Sequence, residues 1–287
     1  YVDRFDARMG LSSLPHLSAT ESLVELLCAD ALLACEMGDI NRAIHDLNSG
    51  MALVNSLGSD GLLSSLLCQW EQDEKIQMVL ARLMGQSTLR AEQRQVFKEY
   101  FAPMRRKQQW ERMCDVEQCL FLSRISEGRQ GGVLRDTLIL VGVGDLNMRA
   151  YFQLMTDIRR SFGAGSAEQQ ALKEHYKSQE RSIQDHPFIY ATLQIYRPMF
   201  QWSMIQERWD EAQVAEIALA LSAYRAVREQ YPATLDHLVP EFLPSIPTHV
   251  ANGAELRYDL MVSGFRLWHE TEDGEAHIYW DVSSPGA

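Results

Sequence analysis

Two histidines and a carboxylate near the carboxyl end of the chain are the side chains best suited to proton transfer. His269, Glu270 and His277 flank a predicted turn at Asp273-Gly274, and pairing of the flanking strands would bring the histidines together. Imidazoles and carboxylates within reach of a substrate act as general acids and bases, as in a hydrolase. The same residues fit an exposed, acidic strand surface, and the sequence identifies no serine or cysteine nucleophile beside them. We therefore predict that the protein is not an enzyme.

The tip of this hairpin is crowded with carboxylates. Calcium prefers oxygen ligands, and turns rich in carboxylates can hold it, although the spacing of an EF-hand is absent here. The pattern fits both a calcium site and a solvated acidic tip. The residues concerned are Glu270, Glu272, Asp273, Glu275 and Asp281.

Aromatic residues are concentrated just before the last long helical segment. Tyr196, Phe200, Trp202 and Trp209 belong to this group. At helical spacing such residues usually form core, and here they would join the helical part to the sheet that follows. The second interpretation is a groove that binds an apolar ligand or a peptide.

Composition and isolated motifs argue against several function classes. A formal net charge of −12 over 287 residues repels phosphate backbones, so we predict no nucleic-acid partner. Gly142 and Gly144 lack the third glycine of a dinucleotide-binding loop and indicate close helix packing instead. The cysteines are odd in number and lie in apolar helical patterns, which favours reduced thiols in the core. They are Cys28, Cys35, Cys68, Cys114 and Cys119.

The candidate residues must be positioned by the elements around them, and the main one is a long helix predicted from Val214 to Tyr231. Pro232 ends it, because proline lacks the amide hydrogen that a helix needs. Apolar residues recur on two sides, so we expect the helix to lie between a sheet and other helices. One side carries Val214, Ile217, Leu221 and Tyr224, and the other carries Leu219, Ala220, Ala223 and Val227.

A short sheet is predicted after this helix. Thr234 is expected to cap a brief second helix. Alternating residues from Leu256 to Leu260 then predict a half-buried strand, with a turn at Ser263-Gly264 and a last strand from His277 to Val282. The result is a three-stranded antiparallel meander.

The part of the chain before residue 208 is predicted to be nearly all helical. A first helix capped by Thr20 or Ser22 ends near Gly38, and further helices cover 62–83, 91–118 with a break at Pro103, 133–161, 167–184 and 189–209. The segment from Gly38 to Ile44 resembles the turn of a tetratricopeptide hairpin, but it does not recur along the chain. The predicted fold is mainly α with a small carboxy-terminal α+β module, divided into residues 1–207 and 208–287.

The last quarter of the chain resembles a known module. The carrying residues are Ala218 to Arg225, Tyr231-Pro232, Leu238-Val239-Pro240, Ile246-Pro247 and Leu256 to Tyr258. This pattern is similar to the carboxy-terminal module of bacterial envelope proteins that resemble the globular part of the major pseudopilin of type II secretion. Thr248-His249-Val250 stands where that module usually has an Asp-Pro pair. About 210 residues precede the long helix, so we do not expect assembly as a pilin subunit.

This resemblance implies a location and a ligand set. It implies a periplasmic or membrane-anchored protein, held to a membrane only through a segment absent from this chain, and it makes Asp273, Glu275 and Asp281 candidate calcium ligands. A chain that begins at Tyr1 without methionine agrees with a removed signal or anchor.

Three function classes follow from the sequence. The first is a non-catalytic envelope protein that binds or scaffolds another protein or a peptide. The alternative is a cytoplasmic helical adaptor, favoured by the tetratricopeptide-like hairpin and the unpaired cysteines. The third is a hydrolase using His269, Glu270 or His277.

Overall fold

A helical body precedes a small antiparallel sheet, which confirms the predicted fold class. The structure, a computed structural model, describes residues 15–127, 202–247, 254–271 and 274–283 and scattered positions between 149 and 175. The helices are α1 Pro15–Glu36, α2 Ile40–Leu57, α3 Leu63–Gln86, α4 Ala91–Phe101, α5 Pro103–Glu127 and α6 Trp202–Arg228. The strands are β1 Arg257–Met261, β2 Gly264–Glu270 and β3 Ala276–Val282.

The first two helices form the predicted hairpin. Gly38 makes the turn with a φ of +76°, a conformation that glycine adopts without a steric penalty. Asp39 then caps α2, because its carboxylate accepts a hydrogen bond of 3.1 Å from the backbone N–H of Arg42. The turn thus places α2 antiparallel to α1, and both pack on α3.

Two predicted helix caps are wrong. Helix α1 begins at Pro15, so Thr20 and Ser22 lie inside it, and their hydroxyls donate to carbonyls four residues earlier. Thr234 precedes a 3₁₀ helix, Leu235–Leu238, but its side chain makes no capping bond. Serine and threonine bond to nearby backbone groups in several ways, so residue type alone did not locate the caps.

Helix α3 is the element on which the others assemble. It packs against α1, α2, α5 and β3. Gly85 allows the approach to the sheet, because a Cβ there would lie 2.3 Å from the carbonyl oxygen of Ser283. On another face, the buried Asp73 carboxylate accepts hydrogen bonds from Arg106 of α5 and from the Tyr100 hydroxyl of α4. This buried polar contact joins three helices.

Helix α6 confirms the prediction of two-sided burial. It runs from Trp202 to Arg228, so the predicted division at 207/208 falls inside it. Nearly all side chains from Val214 to Ser222 are buried, against α4, α5 and β3. Val227, predicted to lie in the second buried set, is 59% exposed, so that prediction is wrong at this position.

The sheet has the predicted meander order β1-β2-β3. Met261 pairs with Gly264, so the turn residues are Val262 and Ser263, and Gly264 begins β2 instead of completing the turn. Gly264 is required for close approach, since a Cβ there would lie 1.6 Å from the carbonyl oxygen of Val282.

Replacing Gly264 with alanine is expected to destabilise the protein by about 2 kcal/mol or more, because the backbone of β3 must move away from β2. The control is Gly50→Ala in α2, where the new Cβ would meet only the Ile76 Cδ1 atom at 3.9 Å. That variant should be neutral or more stable by up to about 1 kcal/mol, because alanine favours helix. Urea denaturation measures both changes, and equal effects would contradict the close approach at Gly264.

Candidate functional site

The two histidines of the predicted acid-base set do come together. His269 of β2 pairs directly with His277 of β3, and their ring centroids are 5.0 Å apart. The face was predicted to be exposed, and that is wrong: His269 is only 8% exposed. Glu270 lies on the opposite face, where it forms an ion pair of 3.0 Å with Arg257 of β1. The predicted set is therefore split between the two faces of the sheet.

A β-bulge places a tyrosine beside the histidines. Trp268 pairs with Ile278 and Leu267 with Trp280, so Tyr279 is an extra residue in β3. Because of it, the adjacent residues Tyr279 and Trp280 are both buried, at 7% and 1% exposure. The Tyr279 ring centroid lies 4.8 Å from that of His277. Period-two alternation cannot predict two consecutive buried residues in one strand.

A cleft lies next to this aromatic group. Its volume is about 550 Å³, and α3, α6 and β3 line it. Helix α3 contributes Glu71, Glu74 and Lys75; α6 contributes Glu207, Arg208 and Glu211; β3 contributes the residues from His277 to Asp281. Residues from three distant parts of the chain therefore form one concave surface, the usual shape of a binding site.

Ion pairs organise the α6 wall of the cleft. Arg208 donates to both carboxylate oxygens of Glu211, at 2.7 and 2.8 Å. Its guanidinium also lies 3.4 Å from Glu74 of α3. Next to it, the His277 Nε2 atom lies 3.4 Å from the Glu207 carboxylate. These contacts hold α3, α6 and β3 at fixed positions around the cleft.

Burial changes the acid-base properties of this group. It raises the pKa of Glu211, although Arg208 opposes the effect. Burial, followed by the nearby Asp210 and Glu211, also raises the pKa of Tyr279. Desolvation disfavours the charged form of each group. The tyrosine therefore keeps its proton and can serve as a hydrogen-bond donor.

Acidic pH is expected to destabilise the protein through His269. Burial, followed by the neighbouring His277, lowers the pKa of His269. As the pH falls, the His269 imidazole of the unfolded chain therefore binds a proton at about pH 6.5, before that of the folded chain does. The free energy of unfolding thus decreases as the pH falls below about 6.5. Replacing His269 with phenylalanine keeps an aromatic ring at this position and removes the group that binds the proton. Urea denaturation between about pH 7.5 and about pH 5 should give a shallower loss of stability for His269→Phe than for the parent.

The control for this measurement is His237→Gln, at an exposed histidine of the short 3₁₀ helix. It should retain the pH dependence of the parent. Equal pH dependence in the parent and in His269→Phe would contradict a neutral, buried His269.

Comparisons with known proteins identify no relative. No protein-family model, no curated protein and no solved structure matches this chain. The resemblance of its last quarter to the pseudopilin-like module stays a prediction.

The candidate calcium ligands do not form one site. Asp273 lies outside the described residues, and Asp281 forms an ion pair of 2.7 Å with Arg266. Glu275 precedes the strand that carries Asp281, so the two residues lie about 20 Å apart at about 3.3 Å per residue. One ion therefore cannot be bound by both. Among the residues that the structure describes, no group of three His, Cys, Asp or Glu could hold a metal ion.

The predicted aromatic groove is described only at Trp209. Tyr196, Phe200 and the side chain of Trp202 lie outside the described residues. Trp209 packs on Phe162, with ring centroids 5.2 Å apart, beside a buried cluster that includes Trp110. Trp209 therefore contributes to packing within the helical body, and both the link to the sheet and the groove stay predictions.

All five cysteines are free thiols, as predicted. Cys28, Cys35 and Cys114 are buried, but Cys119 is exposed and so does not lie in the core. Burial raises the pKa of Cys28 to about 11 and that of Cys114 to about 12. Because the thiolate is the reactive form, these two thiols are inert at neutral pH.

Sequence reasoning missed most residues of the cleft. Glu207, Arg208 and Glu211 lie at helical spacing in the first half of α6, and their charges next to an apolar run were a usable signal. Glu71 and Glu74 gave none, because nothing in the local sequence shows that α3 faces β3. The local sequence likewise does not show that Asp73 of α3 is buried, because its pattern is that of a surface carboxylate.

Proposed function

We propose that this chain is a non-catalytic binding or scaffold protein that recognises its partner in the cleft between α3, α6 and β3. The observation that carries the proposal is the cleft itself, a concave volume of about 550 Å³ with ordered charged groups and two buried aromatic rings. Such a surface can hold a polar segment of another molecule.

The lining of the cleft favours binding over nucleophilic catalysis. Among the described residues that line it there is no serine, threonine or cysteine. His277 and Glu207 would supply a general base, but a hydrolase also needs an acceptor for the acyl or phosphoryl group or an activated water. A binding role needs only the charged groups that the cleft already contains, which is why we prefer it.

The resemblance of the last quarter to an envelope module supports a site of action at the cell envelope. No helix within the described ranges is long and apolar enough to cross a membrane.

A cytoplasmic helical adaptor is the second candidate. It is favoured by the α1–α2 hairpin and by exposed apolar side chains on α1, where Leu26 is 67% and Leu33 is 53% exposed. An adaptor of this kind would use the surface of α1, not the cleft, which makes the two candidates separable by experiment.

The test uses fluorescent peptides of equal length in three pools, basic, neutral and acidic, and measures binding by anisotropy. The parent is compared with Met78→Trp, which places a large ring at a cleft residue that is 62% exposed. The control is Met104→Trp, at an equally exposed methionine of α5 that does not line the cleft. We expect Met78→Trp alone to lose binding. Equal binding by all three proteins would contradict the cleft as the site.

A further inference from the structure

The charges of the cleft are unbalanced. Its lining contains five carboxylates and only two permanent cations. Lys75 turns to α1, where its Nζ lies 2.6 Å from Glu25, and Arg208 is occupied by Glu211 and Glu74. The carboxylates are Glu71, Glu74, Glu207, Glu211 and Asp281.

Two of these carboxylates form no salt bridge with a lysine or arginine among the described residues. Glu71 is exposed and lies one helical turn from Lys75, whose Nζ bonds to Glu25 instead. Glu207 follows the same pattern: it lies beside Arg208 in the chain but pairs with the imidazole of His277. Imidazole and phenol rings, from His277 and Tyr279, line the cleft as well. Carboxylates next to ring faces form a surface that attracts an ammonium or guanidinium group.

Two buried donors of the cleft are also unsatisfied. Among the residues that the structure describes, the Nε1 atom of Trp280 and the Nε atom of Arg208 have no hydrogen-bond partner, and Trp280 is only 1% exposed. Both residues line the cleft. A buried donor without a partner is unfavourable, so an acceptor that comes within reach of either side chain would gain a bond that the free protein lacks. The carbonyl groups of a peptide are acceptors of this kind.

We propose that the cleft binds a basic peptide segment of a partner protein. A lysine or arginine side chain of the segment contacts Glu71 and Glu207, and its backbone carbonyls accept hydrogen bonds from Trp280 and Arg208. A polyamine offers the cation without the carbonyls, which is why the structure favours a peptide. This inference rests on the proposed function, because it names the ligand class of the same cleft.

The experiment titrates the parent with a peptide of alternating lysine and glycine, with its glutamate-glycine counterpart and with spermidine. The double variant Glu71→Gln/Glu207→Gln should bind the lysine peptide about tenfold more weakly, since two partly exposed ion pairs are removed. The control, Glu92→Gln/Glu99→Gln, removes the same charge from exposed positions of α4 outside the cleft. It should change affinity by less than about twofold, because exposed charges at a distance are screened by salt.

Four results would overturn the inference. Equal losses in the two double variants would mean that the peptide responds only to the net charge of −12. If spermidine binds as tightly as the lysine peptide, the backbone carbonyls of the peptide do not contribute to binding. A third result is that neutral or acidic peptides bind the parent but not Met78→Trp, while the lysine peptide does not bind. That result would reject a basic ligand and leave the proposed function standing. If no peptide of any charge binds, the proposed function is wrong as well.

Discussion

Replacing Leu221 with aspartate is expected to destabilise the protein by about 4 kcal/mol or more, because an unpaired carboxylate would enter the core. Leu221 is fully buried in the middle of α6. It belongs to the main core cluster, which contains residues of α1 to α4, α6 and the sheet. A charge there therefore affects the packing of both the helical body and the sheet. Thermal melting and urea denaturation both measure the loss.

The matched control places the same charge on the same helix. Val227 is 59% exposed, so Val227→Asp should change the free energy of unfolding by less than about 1 kcal/mol, mainly through the helix dipole. A Leu221→Asp variant that melts close to the parent temperature would contradict the central position of α6.

Replacing Asp73 with alanine should destabilise the protein by about 3 to 5 kcal/mol, since it leaves a buried guanidinium without a counterion. The side chain of Arg106 is 5% exposed and that of Asp73 is 4% exposed. Tyr100 also loses the acceptor of its hydroxyl, because that hydroxyl donates to Asp73. The contact joins α3, α4 and α5, so all three helices are affected.

Two controls separate the ion pair from general packing. The double variant Asp73→Leu/Arg106→Met should recover most of the loss, because apolar residues of similar size can replace a buried pair. Glu270→Ala breaks an ion pair with Arg257 whose side chains are 50% and 46% exposed, so it should lose less than about 1 kcal/mol. If Asp73→Ala and Glu270→Ala are equally mild, the buried pair does not stabilise the assembly of these helices.

The sequence was informative where local physics decides structure. The helical spacing of Val214, Ile217 and Leu221 predicted a buried helix, and Gly38 predicted a turn that needs a positive φ. Alternation in the last strands predicted the meander and the pairing of His269 with His277. These features depend on residues close together in the chain, so a single sequence suffices to predict them.

The candidate site depended on contacts that a local pattern does not contain. The cleft is formed by Glu71, Glu207 and His277, residues that lie far apart in the chain. The bulge at Tyr279 breaks the alternation on which strand prediction rests, and it brings both Tyr279 and Trp280 to the buried face.

Burial was likewise decided by tertiary packing. Asp73 is buried because Tyr100 of α4 and Arg106 of α5 contact it, whereas Val227 in the last turn of α6 is exposed. The sequence by itself therefore determined most of the described helices, the turn at Gly38 and the meander, since each follows from backbone geometry and the spacing of apolar residues. The helices predicted over 133–161, 167–184 and 189–209 lie largely outside the described residues. Only the tertiary structure decided which charged residues face one another, because the Coulomb and desolvation energies of a side chain depend on distant segments that surround it.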